Sequence, residues 1–292
     1  MFPMYLEYFT KDKTFPFFIQ YGKHENGIFS HENNGFSELV IVLSGSAVHV
    51  VNGEEYLVKK GDVFVMREGT SHSYKDTVDF HICNIMYQQE HLLPKDSDIR
   101  TSPGYHALFM IEPAMTKRHG FQSRLSLNLS DFEKIERMTQ MMLAEYDQKK
   151  AGWKTVILGY FTVLTVQLSR LYQLKEKEEE KGAISIARSI AYMERHFTET
   201  LLIPELAEMA GVSTRHFTRL FEEAYHTTPL KYINILRIQH ASGLLRSTRM
   251  TITEVAQLSG FSDSNYFSRQ FRKAFHQSPR EYRTGIAGNK YV

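Results

Sequence analysis

The chain has 292 residues, 42% of them hydrophobic and 13% aromatic, with 35 Lys/Arg against 33 Asp/Glu. That length and apolar content suit two packed domains, and the lone cysteine, Cys83, excludes an internal disulfide or a zinc finger and fits a reducing cytosol. From Ala183 onward the sequence carries 14 Lys/Arg against 9 Asp/Glu, while the front carries 21 against 24, so the back half is where nucleic acid is expected.

Met1 to Lys13 has no apolar run behind basic residues, so no signal peptide is expected. From about Phe15 to Glu112 apolar and polar residues alternate between Gly-rich breaks, as in Glu38 to Leu43, Val48 to Val51 and Val63 to Met66. Asn52-Gly53 between two such runs reads as a tight hairpin turn. Many short strands at this spacing predict a sandwich or small barrel. From Ser130 to about Glu180 the period becomes helical, with Ile135, Met138 and Met142 on one face and Tyr160, Val163, Leu164, Gln167, Leu168 and Leu171 on another. These stripes serve either the core or a partner helix in a second chain. The most apolar part, Val156 to Leu171, holds Gln167, Ser169 and Arg170 and is too short to span a bilayer, so a cytoplasmic protein with no membrane partner is expected. Lys175 to Gly182 is charged, lacks apolar anchors and marks a boundary.

The last third repeats itself. Leu206-Ala207 and Gly211-Val212-Ser213 return as Val255-Ala256 and Gly260-Phe261-Ser262; Phe217, Arg219, Phe221, Ala224, His226, Pro229 and Tyr232 return as Phe267, Arg269, Phe271, Ala274, His276, Pro279 and Tyr282. The second copy has one extra residue after its turn. Each copy reads as helix-turn-helix: a small residue where helices approach, a Gly at positive φ, an apolar residue, then a Ser to cap the next helix. Pro204 suits a first helical turn, and Thr251 with Glu254 has capping-box spacing. Phe217, Leu220, Phe221 and Ala224 should face inward and Arg215, Thr218, Arg219 and Glu222 outward; in the second copy Phe267, Phe271 and Ala274 inward, Asn265, Ser268, Arg269 and Arg272 outward. Arg and Asn can each make two hydrogen bonds to a purine edge. Leu230 to Ser247, with Ile233, Leu236, Ala241, Leu244 and Leu245, reads as a strut fixing the separation of the two units.

Residues from about Ile186 to Arg283 resemble the DNA-binding domain of the AraC family of bacterial regulators. The doubled Ala-x-x-x-Gly-hydrophobic-Ser pattern, the run Gly260 to Ser268, and Phe271 to Phe275 leading to Ser278-Pro279-Arg280-Glu281-Tyr282 carry the likeness. The resemblance implies base-facing positions at Arg215, Thr218 and Arg219, and at Asp263, Ser264, Asn265, Ser268 and Arg269. It also implies double-stranded DNA and RNA polymerase as partners. The front half is similar to the cupin-type sensor domain of this family, with Gly61, Gly69 and His72 at the second cupin motif and Glu38 at the acid of the first. Arg67 stands where the motif has Pro. The two His that should precede Glu38 fall on Glu32 and Asn34, with His31 one place off, so the metal set reads as depleted, and neither metal nor cofactor is expected. A small polar effector is the alternative, with Glu38, Arg67, His72 and Tyr74 as candidates. Phe36 to Val42, His49 to Gly53 and Asn84 to Tyr87 look most like the rhamnose-responsive members, which implies L-rhamnose or a similar sugar.

The expected architecture is α+β: a cupin-like β-barrel over 1–129, a helical dimerisation segment and linker over 130–182, and an all-α domain with two helix-turn-helix units over 183–292. The expected function is a sugar-responsive transcription regulator, read as an activator and a homodimer rather than an enzyme. A metal-dependent cupin enzyme fused to a DNA-binding domain, or a regulator without a small-molecule effector, are the alternatives.

Overall fold

A computed structural model describes residues 2–24, 30–88, 92, 97–115, 125–175 and 183–288. The charged boundary expected after Lys175 lies outside the described residues, apart from Lys175 itself. The chain divides into two compact units, Met1–Ala187 and Arg188–Val292.

The first unit is built on a curled eight-stranded sheet, the cupin-like barrel expected from the sequence. Its strands are β1 (Phe2–Tyr5), β2 (Phe17–Lys23), β3 (His31–Asn34), β4 (Ser37–Val51), β5 (Glu54–Lys59), β6 (Asp62–Met66), β7 (Ser71–Tyr87) and β8 (Leu125–Ser126). The long strands β4 and β7 pair along most of their length, and β4 also pairs with β5 and β6 while β7 pairs with β2 and β3. Two strands can serve so many neighbours because they bend. The β4–β7 register shifts three times between Val42 and Val48, and Gly45, Asp76 and Asp79 sit there at positive φ. Asn52 and Gly53 both have positive φ and join β4 to β5 with Val51 opposite Glu54, as the hairpin reading required.

Alternation sends one set of side chains to the barrel interior, where Val40, Val42, Ala47, Val51, Val58, Phe64, Met66, Tyr74, Phe80 and Ile82 form one cluster. The opposite face is covered by two helices, α1 (Leu129–Gln148) and α2 (Trp153–Lys175). Phe161 meets the rings of Phe17 and Tyr87 at 6.2 and 4.9 Å, and the Tyr21 hydroxyl lies 2.7 Å from Thr139 Oγ1. The α2 stripe expected from the sequence is split. Leu164 and Leu168 are buried together with Ile157, Phe161 and Tyr172, whereas Val163 and Gln167 are exposed and Tyr160 and Leu171 half-buried. At 3.6 residues per turn the buried line drifts across the expected one.

The second unit takes most of α3 (Ala183–His196), then α4 (Ile203–Met209), α5 (Thr214–Tyr225), α6 (Pro229–Ser247), α7 (Ile252–Leu258), α8 (Ser264–Phe275) and α9 (Pro279–Gly288). The repeat is visible in its geometry. Gly211 and Gly260 have φ of +69 and +83°, and α5 and α8 both end on a left-handed histidine, His226 and His276. Pro204 lies in the first turn of α4, and Thr251 with Glu254 closes a capping box on α7. Two expectations need correction. Ser213 caps α5, but Asp263, not Ser262, caps α8, because the extra residue of the second copy moves the cap one place on. Ala274 is exposed, whereas its counterpart Ala224 is buried.

Candidate nucleic-acid interface and effector site

In α5, Phe217, Leu220, Phe221 and Ala224 are buried, which leaves Arg215 exposed and Thr218 and Arg219 half-buried on the outer face. In α8, Phe267 and Phe271 are buried; Asn265 and Arg269 are exposed, and Ser264 and Ser268 half-buried. The Ser268 hydroxyl donates to Ser264 O at 2.8 Å, so toward an outside group it serves as an acceptor. Asp263 is exposed, yet one oxygen accepts from the amides of Asn265 and Tyr266, so its first duty is to hold the helix start.

The two repeat arginines are restrained differently. Arg219 Nη2 lies 3.3 Å from His216 Nδ1, and its Nε is buried. The Arg269 guanidinium instead lies over the ring of Tyr266, 5.9 Å from its centroid. His216 and Tyr266 stand at equivalent places, one turn before each arginine, and sequence reading singled out neither. Arg reaches a base with its planar end, so a neighbour that fixes that plane lowers the entropy lost on docking.

The spacing of the units is set by α6. Ile233, Leu236, Ala241 and Leu245 are buried, as expected of the strut, and Leu244 packs on the second unit's core. Arg237 adds a polar clamp: Nε donates to Phe197 O at 2.6 Å, Nη2 to Glu199 O at 2.7 Å, and its guanidinium lies 5.8 Å from the Phe261 ring. The Tyr232 hydroxyl donates to Glu194 in the buried contact between α6 and α3.

In the barrel, three of the four expected effector residues come together. Glu38 and His72 are almost wholly buried, 3.4 Å apart from Oε2 to Nε2, and Tyr74 lies with its ring 6.1 Å from that of His72. Arg67 does not join them. Glu38 pairs with Met66 and Met86, so alternation turns the next residues, Arg67 and Tyr87, to the opposite side, where the Arg67 charge acts on the Tyr87 phenol.

The structure adds residues that motif spacing did not reveal. Asn33 Nδ2 donates to Glu38 Oε2 at 3.0 Å, and Asn84 Nδ2 donates to Oε1. His49 stacks between Phe64 and Tyr74, 4.7 Å from each ring. His31 meets His72 with their Nε2 atoms 2.8 Å apart, because β3 pairs His31 directly with His72. For His49 and Asn84 the legible hint was a polar residue inside an apolar strand, whereas His31 stood one place off the first motif on the polar strand β3. Burial lowers His72 to about 4, against the opposing pull of Glu38, and holds His49 well below its usual value, so both rings are neutral near pH 7. Burial likewise raises the Tyr74 phenol. Among the described residues, Asn33 Oδ1, Asn84 Oδ1 and the Tyr74 hydroxyl are buried and meet no hydrogen-bond partner.

Comparison with known proteins agrees with both units. Residues 206–285 match the helix-turn-helix domain family and residues 17–83 the cupin domain family. The HTH-type transcriptional activator RhaS of Enterobacter sp. (strain 638) is 30% identical over 258 residues, 88% of each chain. RhaS of Escherichia fergusonii is 29% identical over 262 residues, 89% of each. A solved AraC-type DNA-binding-domain regulator from Chromobacterium violaceum is 34% identical, covering 35% of this chain and 92% of that one, with a TM-score of 0.33. These relatives are regulators rather than enzymes, and no described helix is long and apolar enough to cross a membrane. With two helix-turn-helix units behind a cupin domain, and a relative 30% identical along nearly its whole length, the chain belongs to the AraC family of DNA-binding transcription regulators.

Proposed function

We propose that this regulator binds a small polyhydroxylated effector, a sugar such as L-rhamnose, beside Glu38, His72 and Tyr74, and responds by activating genes for its use. The observation that carries the reading is the set of buried, unpartnered polar atoms around Glu38. A buried polar atom without a partner costs about 1–3 kcal/mol, and an effector's hydroxyls satisfy it. The RhaS names of the relatives make L-rhamnose the first compound to try. A thermal-shift panel of L-rhamnose, L-arabinose and L-fucose tests it. Stabilisation by one sugar, weakened by roughly 1–3 kcal/mol in Glu38→Ala, supports the site. Tight binding that survives loss of both Glu38 and His72 places the pocket elsewhere, and silence across the panel favours a regulator without this effector.

On the DNA side, Arg215, Thr218 and Arg219 read one major groove and Asp263, Ser264, Asn265, Ser268 and Arg269 the next. Replacing Arg219 or Arg269 by Ala costs on the order of 1–3 kcal/mol and relaxes preference at one operator position. Equal weakening on all sequences makes them phosphate contacts. The chain works as a homodimer through α1 and α2, where Met141, Val163 and Leu174 are exposed beside a groove of about 410 Å³ lined by Ile135, Met138 and Leu171. A monomer by sedimentation at tens of micromolar, an order-of-magnitude choice for a moderate dimer, overturns that part. RNA polymerase is the further partner we propose, since the relatives are named transcriptional activators.

A further inference from the structure

We propose that base reading by the second unit is aimed from the strut α6, through a ladder of alternating charge and ring formed by Arg237, Phe261, Tyr266 and Arg269. Tyr266 is then the positioning residue of Arg269. The proposal rests on the reading that Arg269 meets a base.

The rungs lie at contact distance throughout. The Arg237 guanidinium stands 5.8 Å from the centre of the Phe261 ring, the Phe261 and Tyr266 rings are 6.2 Å apart, and the Arg269 guanidinium is 5.9 Å from the Tyr266 ring. A cation is attracted to a ring face within about 6 Å, and ring pairs interact over about 4.5–7 Å. The ladder runs from inside to outside, since Phe261 is buried in the second unit's core while Tyr266 and Arg269 are exposed. Its inner end is fixed. Arg237 donates to the carbonyls of Phe197 and Glu199, and the turn before Phe261 is lodged so closely that a Cβ on Gly260 would sit 2.6 Å from Thr198 O. The strut grips the next ring as well. Asn234, one turn before Arg237 on the same face of α6, donates to the Tyr266 hydroxyl at 3.4 Å.

An exposed arginine samples many rotamers, and docking its planar fork on a guanine edge costs that freedom. Tyr266 lies one turn before Arg269 and is itself held on two sides, by Phe261 and Asn234. It narrows the sampling before DNA arrives. The first unit is built differently at the matching places. Val212 stands where Phe261 does and His216 where Tyr266 does, so Arg219 rests on a nitrogen of its own helix, 3.3 Å away. Base reading by the second unit is therefore the one that depends on the strut.

The test uses the full chain and a duplex that it selects from a random library, with and without L-rhamnose, followed by affinities for every single-base variant of that duplex. Arg269→Ala locates the base pair that Arg269 reads, as lost preference at one position. Tyr266→Ala should lose preference at that same pair by about three- to tenfold, from the lost ring attraction and the regained side-chain freedom. Other positions, and the slope of log K on log salt, should stay as in wild type. Tyr266→Phe keeps the ring and should recover most of the loss. Phe261→Leu, aliphatic like Val212, should lose about two- to threefold at that pair alone. Tyr266→Ala added to Arg269→Ala should change nothing further. Urea unfolding followed by circular dichroism checks that each variant folds. A merely structural role would weaken all sequences alike. That outcome, an unchanged preference in Tyr266→Ala, or additive losses in the double variant overturns the proposal. If Arg269→Ala shifts no position, the base reading is overturned and the ladder with it; a shift in Arg269→Ala with none in Tyr266→Ala removes the ladder alone.

Discussion

Gly211 and Gly260 hold the same place in the two repeats, so alanine at each separates backbone strain from packing. Both have positive φ, where a side chain costs about 1–2 kcal/mol. For Gly211 that is the whole charge, since a Cβ there meets nothing within 4 Å. At Gly260 a Cβ would come within 2.6 Å of Thr198 O, 2.8 Å of Thr198 Cα and 2.9 Å of Arg237 Nε. Two of those atoms are backbone, and the third belongs to a side chain held by two carbonyls, so none moves freely. Overpacking of this kind adds about 1–3 kcal/mol. Gly260→Ala should therefore lose about 2–5 kcal/mol, and Gly211→Ala about 1–2. Urea unfolding followed by far-UV circular dichroism measures the difference. Trp153, the chain's one tryptophan, lies in the first unit, so its fluorescence transition is the internal reference. Equal losses at the two positions would refute the claim that the Thr198 loop is packed against the second turn.

Arg237→Ala should cost about 2 kcal/mol, from two charge-assisted bonds discounted for partial exposure, with Lys recovering less than half; an unchanged urea midpoint counts against the clamp. Thr251→Ala should cost about 1 kcal/mol by opening the α7 capping box. The box holds the Glu254 carboxyl below its usual range through its bonds to Thr251, so this contribution is full above the unfolded value and fades as pH falls through the folded one. The gap between wild type and Thr251→Ala should narrow in acid to what the amide bond to the Thr251 hydroxyl contributes, and a gap that widens contradicts the assignment. His276→Gly should raise stability by about 0.5–1 kcal/mol, because glycine takes the left-handed turn without strain; a lower thermal midpoint would show that the histidine contributes more than its backbone costs.

What the sequence determined by itself was local. Hydrophobic period, turn chemistry and caps depend on residues a few places apart, so the Asn52-Gly53 hairpin, the Thr251 box and the doubled helix-turn-helix were all legible before any fold was known. Exposure on α5 and most of α8 was legible too, since a 3.6-residue period assigns faces. Counting failed where one residue shifted the frame, as when the cap moved from Ser262 to Asp263. The barrel site was decided only by pairing across strands. Glu38, His72 and Tyr74 were reachable through motif spacing, but Asn33, His49, Asn84 and His31 enter through register between distant strands, and the same register removes Arg67 to the other face. Each strand alternates by itself, and its sequence says which residues share a face. Which face meets which, and at what offset, depends on bends such as those at Gly45, Asp76 and Asp79, whose effect exists only once the two strands are together.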